Sequence, residues 1–256
     1  MNRINKLFQT QKQPILSVYF TAGFPQPDDT VHIIEELASN GVKLIEVGMP
    51  FSDPMADGVA IQQSSHIALQ NGMSIRKLFS QLKNIREKTD VPLVMMGYLN
   101  PILQFGFEHF CKECRQTGID GLIVPDLPMN EFLSEYKEIT ERYHLRFIFL
   151  ITPETSEERI RLIDDNTDGF IYMVSSSATT GEQKSFNNKI NYFNRINNME
   201  LKNPRLIGFG ISNKETLETV FRYASGAIVG SAFINALKQT GEVKKGVKLL
   251  SENLGY

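Results

Sequence analysis

Short apolar runs alternate with longer segments of helical periodicity along most of the chain. The runs read ILSVYFTAG (15–23), LIEVG (44–48), PLVMMGY (92–98), GLIVPD (121–126), RFIFLIT (146–152), GFIYMVS (169–175), RLIGFG (205–210) and GAIVG (226–230). Several are apolar almost without interruption, as parallel strands are when both faces are covered. Between them, PDDTVHIIEELASNG sets Asp28 and Asp29 as acidic caps, Val31, Ile34 and Leu37 on one face, and Gly41 at the stop. SIRKLFSQLKNIREKT carries Ile75, Leu78, Phe79, Leu82 and Ile85 at helical spacing. The segments FEHFCKECRQTG, MNEFLSEYKEITERYH, SEERIRLIDDN, NKETLETVFRYAS and AFINALKQTG read the same way.

Eight strands alternating with helices predict an α/β chain folded as a single (β/α)8 TIM barrel over 1–256. An open doubly wound sheet is the alternative, but no glycine-rich dinucleotide turn follows the first strand. Ile4, Leu7 and Phe8 predict a short N-terminal helix that packs its apolar side on the barrel. Two connections are long, 49–73 after strand 2 and 175–192 after strand 6. Both leave the strand ends that carry active sites in barrels. The second, rich in Ser, Thr, Gly and Asn, is expected to move as a lid.

Composition narrows the partners. The 256 residues are 41% hydrophobic and 22% charged with a formal net charge of −2, so nothing marks a basic nucleic-acid surface. No secretory leader opens the sequence and no apolar run is long enough to span a bilayer, so the expected location is the cytoplasm, away from membranes. Cys111 and Cys114, spaced C-x-x-C, have no companion ligands for zinc and read as reduced helix cysteines. The four histidines (His32, His66, His109 and His144) fit no metal spacing.

Candidate chemistry concentrates in EVGMPFSDPMADG, residues 46–58. Glu46 lies inside strand 2, sharing one side with Leu44 and Gly48. A strand acid is either a buried, lysine-paired structural group or a general acid/base with a raised pKa at the barrel mouth. Asp57 follows on a loop stiffened by Pro50 and Pro54, which can hold a carboxylate at a fixed place. Asp53, before Pro54, reads as a turn residue. A divalent cation held by the three acids is a further reading, though no phosphate or water motif accompanies them. Two late glycine turns, GFGIS (208–212) and GSAF (230–233), each follow a strand and open a helix. Backbone N–H groups there can hold phosphate, the recurring device of phosphate-handling barrels after strands 7 and 8. Gly208, Gly210, Gly230 and Ser231 are the candidate donors; ordinary β–α turn glycines are the plainer alternative.

The run from Glu46 to Gly58 closely resembles the signature of the tryptophan synthase alpha subunit family. FTAGFP (20–25), MGYLNP (96–101), VPDLP (124–128), TGE (180–182), GFGIS and GSA reinforce it in order from strand 1 to strand 8. The resemblance implies a barrel lyase that cleaves indole-3-glycerol phosphate to indole and glyceraldehyde 3-phosphate by a retro-aldol reaction, in tryptophan biosynthesis. It implies no cofactor in this subunit, with pyridoxal phosphate expected in a beta subunit that receives the indole within an alpha2-beta2 heterotetramer. By motif position Glu46 matches the general acid/base and Asp57 the acid that engages the indole N–H. Tyr172 matches an active-site tyrosine, and Tyr19, Tyr98 and Asp126 match positions that line the pocket or lie close to the subunit interface. Thr180 and Gly181 match the closing loop, and Gly181, Gly210, Gly230 and Ser231 the phosphate set. Two departures fall in that loop: Ser176 stands where some members carry arginine, and Ala178-Thr179 where many have Gly-Val. Other phosphate-sugar barrels use a different acid/base set, often a strand lysine; Lys43 lies below the mouth.

Overall fold

The computed structural model describes all residues except Ala56, 176–181 and Phe209, and leaves out the side chains of 182–189. Among the described residues nine strand segments run parallel: β1 (Ile15–Thr21), β2 (Leu44–Gly48), β3 (Leu93–Met96), β4 (Gly121–Ile123), β5 (Arg146–Phe147), β6 (Leu150–Ile151), β7 (Ile171–Val174), β8 (Arg205–Gly208) and β9 (Gly226–Val229). Their order in the sheet is β5-β4-β3-β2-β1-β9-β8-β7-β6. The two edge segments are successive parts of one chain stretch. Ile148 donates to the Leu122 carbonyl at 2.9 Å, and Tyr172 donates to the Phe149 carbonyl at 3.0 Å. Residues 146–151 therefore change neighbours halfway and close the eight-stranded barrel that the apolar runs predict.

Alternation along the strands divides the apolar side chains into two sets. Val18, Phe20, Ile45, Val47, Leu93 and Ile207 face the surrounding helices. Ile15, Leu44, Val94, Ile123, Ile148, Leu206 and Ile228 fill the lumen. This resolves which side Glu46 takes: it shares the lumen side with Leu44. The helix Arg3–Thr10 plugs the N-terminal end of the barrel, with Ile4 fully buried in the lumen cluster and Phe8 packed on Phe170. The Asn2 side chain caps this helix at the Ile4 amide and donates to the Asp120 carbonyl. Buried Asp120 then ties the floor together, accepting from Arg3, Arg86 and the Leu93 amide.

The helices expected from periodicity are present, including Thr30–Ser39, Phe107–Thr117 and Ser231–Thr240. Cys111 and Cys114 are free and buried on Phe107–Thr117, and burial pushes the Cys111 thiol up to about 12. Asp29 does not cap Thr30–Ser39 by its side chain; the carboxylate accepts from the Gln26 amide instead. The long connection after β2 contains a helix, Val59–Gln70, that the pattern does not indicate. Its buried face includes Ser64 and Ser65 beside Ile61 and Ala68, which breaks the apolar stripe. Ser64 earns its burial through bonds to Thr21 Oγ1 at 2.6 Å and the Ile61 carbonyl at 2.9 Å. In the connection after β7, the helix Glu182–Asn197 begins well inside the stretch expected to be a loop; 176–181 lie outside the described residues.

Candidate active site

Glu46 is fully buried on β2, opposite Tyr19 of β1 and Val94 of β3. Its Oε1 accepts from Ser17 Oγ at 2.9 Å. Its Oε2 is buried and has no hydrogen-bond partner among the described residues. Burial removes the carboxylate from water, and one hydroxyl does not compensate a full charge. Desolvation accordingly pushes the Glu46 carboxyl up to about 8, against the opposing pull of the Ser17 bond. No lysine pairs with Glu46, so the reading of a salt-bridged structural acid is not met among the described residues.

Asp57 hangs from the loop between β2 and Val59–Gln70. The Met49 amide bonded to the Met96 carbonyl anchors the loop start, and the Asp57 amide bonded to the Pro54 carbonyl turns the chain back. Gln62 Nε2 donates to the Asp57 carbonyl at 2.9 Å, fastening the loop to its own helix. The Asp57 carboxylate accepts from Tyr98 Oη at 3.0 Å, and the Tyr98 ring stacks on Phe51 with centroids 5.1 Å apart. Burial raises Asp57 to about 6 against the lowering effect of the Tyr98 bond. Both carboxyls lie within electrostatic reach of Tyr19 and Tyr172, whose hydroxyls are themselves held protonated by desolvation and these acids. Asp53 stays apart: it is exposed and bonded to neighbouring Ser52.

Two glycines make room for the tyrosines. A Cβ at Gly48 would sit 2.2 Å from Tyr19 Oη, and one at Gly208 would sit 2.4 Å from Tyr172 Oη. Larger residues at either strand end would displace a phenol from the barrel mouth. Gly208 thus supports Tyr172 and is not among the residues that line the cleft.

The cleft itself, of about 200 Å³, runs from Tyr19, Asp57 and Tyr172 to Gly210, Gly230, Ser231 and Asn235. Gly230 is the N-cap of Ser231–Thr240, and among the described residues no side chain caps that helix. Ser231 and Ala232, the first residues of that helix, line the cleft, and an uncapped helix N-terminus is the arrangement that receives an anion. The neighbouring helix Lys214–Phe221 differs, because Asn213 and Thr216 close its N-terminus in a capping box. Of the other predicted residues, Asp126 is exposed and accepts from the Leu99 amide at 2.9 Å, holding the turn that carries Tyr98. Thr180 and Gly181 lie outside the described residues.

Ser17, Gln62, Ile61 and Asn235 enter this neighbourhood without a signal in the sequence reading. Ser17 is the one whose place was open to inference, since it lies two residues before Tyr19 on the same side of β1. Among the described residues no group of three or more His, Cys, Asp or Glu side chains is disposed to hold a metal ion.

The family model described as tryptophan synthase alpha chain matches residues 6–254. A tryptophan synthase alpha chain from Parabacteroides distasonis is 57% identical, covering 99% of this chain and 99% of its own. One from Flavobacterium johnsoniae is 58% identical over 95% of this chain and 96% of its own. Among solved structures, tryptophan synthase subunit alpha from Legionella pneumophila superposes with a TM-score of 0.89 at 33% identity, covering 99% of this chain and 96% of that one.

Proposed function

The chain belongs to the tryptophan synthase alpha chain family, and on that premise we propose that Glu46 and Asp57 carry its chemistry, with Gly210, Gly230 and Ser231 as the phosphate anchor. The reaction is the family's: cleavage of indole-3-glycerol phosphate to indole and glyceraldehyde 3-phosphate, a lyase step of tryptophan biosynthesis. The chain partners with the beta subunit, to which the pyridoxal phosphate of the complete synthase belongs. We further propose an alpha2-beta2 assembly in the cytoplasm with no cofactor in this chain. Among the described residues no helix is long and apolar enough to cross a membrane.

Breaking the bond between indole C3 and the carbinol carbon needs three things. C3 must gain a proton, so that its ring becomes an electron sink. The carbinol hydroxyl must lose one as the aldehyde forms. The positive charge that develops at the ring nitrogen must be stabilised. The observation that carries the assignment is the different setting of the two acids: Glu46 is fully buried with one hydroxyl partner, which favours its protonated form, while Asp57 accepts from the Tyr98 phenol, which favours its carboxylate. A protonated Glu46 delivers a proton to C3 and, once charged, accepts the hydroxyl proton. The Asp57 carboxylate, steadied by Tyr98, faces the ring N–H and stabilises the cation without moving. The cleft's open helix N-terminus receives the phosphate at the other end. Glu46 rests on Ser17 and is not among the residues that line the cleft, so its carboxyl turns toward the substrate when it acts.

The test is indole release by purified Glu46→Gln and Asp57→Asn. The expected losses are about 10²–10⁴-fold for the first and about 10²–10³-fold for the second. Near wild-type turnover in both variants would overturn the assignment.

A further inference from the structure

A second cavity, of about 390 Å³, opens at the N-terminal ends of β1, β8 and β9, the end of the barrel opposite the cleft. The apolar lumen, with Ile15, Leu206 and Ile228, fills the barrel between the two. Lys12, Arg205 and Arg222 line this cavity together with Asn197, Tyr223 and Ser225, and no Asp or Glu is among its lining residues. None of the three cations forms an ion pair among the described residues.

Arg205 is the central member. One terminal nitrogen donates to Asn197 Oδ1 at 3.2 Å, while its Nε is buried with no partner among the described residues. The acid that acts on it electrostatically is Asp164. The Asp164 carboxylate is already occupied by the Lys202 and Asn203 amides and the Asn203 side chain. A half-buried guanidinium that lines a cavity and has no ion-pair partner among the described residues favours a bound anion, because a buried charge is costly until it is matched. Its planar fork suits the oxygens of a phosphate, and Lys12 and Arg222 at the exposed rim add charge.

We propose that this cavity is a second anion site, which binds a phosphate group through Arg205, with Lys12 and Arg222 completing the charge. The cavity is larger than one phosphate, so the site takes either free phosphate or a small phosphate monoester whose body lies along Tyr223.

Equilibrium dialysis with labelled inorganic phosphate tests this on the intact chain. Lys12→Gln/Arg222→Gln alters only exposed rim residues and is expected to weaken one binding event about tenfold or more. Its indole release, and phosphate's competition with substrate, stay unchanged. Ser231→Asp is expected to leave that same event intact. A phosphate isotherm in Lys12→Gln/Arg222→Gln superimposable on wild type would overturn the proposal. So would loss of all phosphate binding in Ser231→Asp, since the cleft would then be the sole site. Glucose 6-phosphate as competitor separates the sources: displacement tighter than by phosphate assigns a phosphorylated metabolite, and displacement no tighter assigns free phosphate. Failure of the cleft assignment would read differently, as phosphate binding unaffected by Ser231→Asp and removed by the rim variant.

Discussion

Replacing Glu46 with Gln should stabilise the fold, and by an amount that grows with pH. Gln keeps the shape and can keep a bond to Ser17, but it cannot ionise. In the wild type the folded-state carboxyl sits at about 8 against an ordinary value of 4.5. Between those values the unfolded chain has lost this proton and the native state retains it. Stability is therefore fully present below about 4.5 and falls as pH rises toward 8. At about 1.4 kcal/mol per pH unit the full loss amounts to about 5 kcal/mol. Urea unfolding of both proteins at about pH 5.5 and 8.5 measures it. The stability advantage of Glu46→Gln should widen by about 3 kcal/mol between those conditions, while contributions common to both chains cancel. Parallel stability–pH curves would refute the reasoning. Glu46 would then titrate near its ordinary value, through water reaching the site or a partner the geometry does not reveal.

Three further outcomes follow from the same geometry. The pH profile of kcat/KM for indole release should be bell-shaped, rising through about 6 as Asp57 ionises and falling through about 8 as Glu46 loses its proton; a profile flat from about pH 5 to 9 would contradict the assigned states. Tyr98→Phe removes the 3.0 Å bond that favours the Asp57 carboxylate, so the acid limb should move up by about 0.5–1 unit with the basic limb in place. Gly48→Ala puts a methyl group against the Tyr19 hydroxyl and should cost about 1–3 kcal/mol in urea unfolding as well as indole-release activity; a variant as stable and active as wild type would show that Tyr19 need not lie there.

What was legible in the chain depended on whether the information is local. Strand runs and amphipathic helices are periodic within ten or fifteen residues, so the barrel could be read from apolar spacing. The N-terminal helix could be read the same way from Ile4, Leu7 and Phe8. The helix Val59–Gln70 escaped because Ser64 and Ser65 occupy its buried face, and their burial depends on partners such as Thr21, 43 residues away from Ser64. Asp29 has a capping residue's chemistry, but its carboxylate is engaged by Gln26, a choice that propensity does not reveal.

The site divides along the same line. Glu46, Asp57 and the two late glycine turns are conspicuous as residue types, and motif order alone brought them together as one candidate set. Tertiary structure decided their states. A carboxyl's proton affinity is a property of its surroundings: Glu46 is fully buried with one serine hydroxyl as its hydrogen-bond partner, whereas Asp57 keeps a phenol donor. The fold also separated glycines that look alike in sequence. Gly230 opens a helix toward the cleft, while Gly208 makes room for Tyr172. Three cations scattered between residues 12 and 222 became one cavity for the same reason: parallel strands bring distant stretches of chain to one end of the barrel, and burial then determines which charges need a partner.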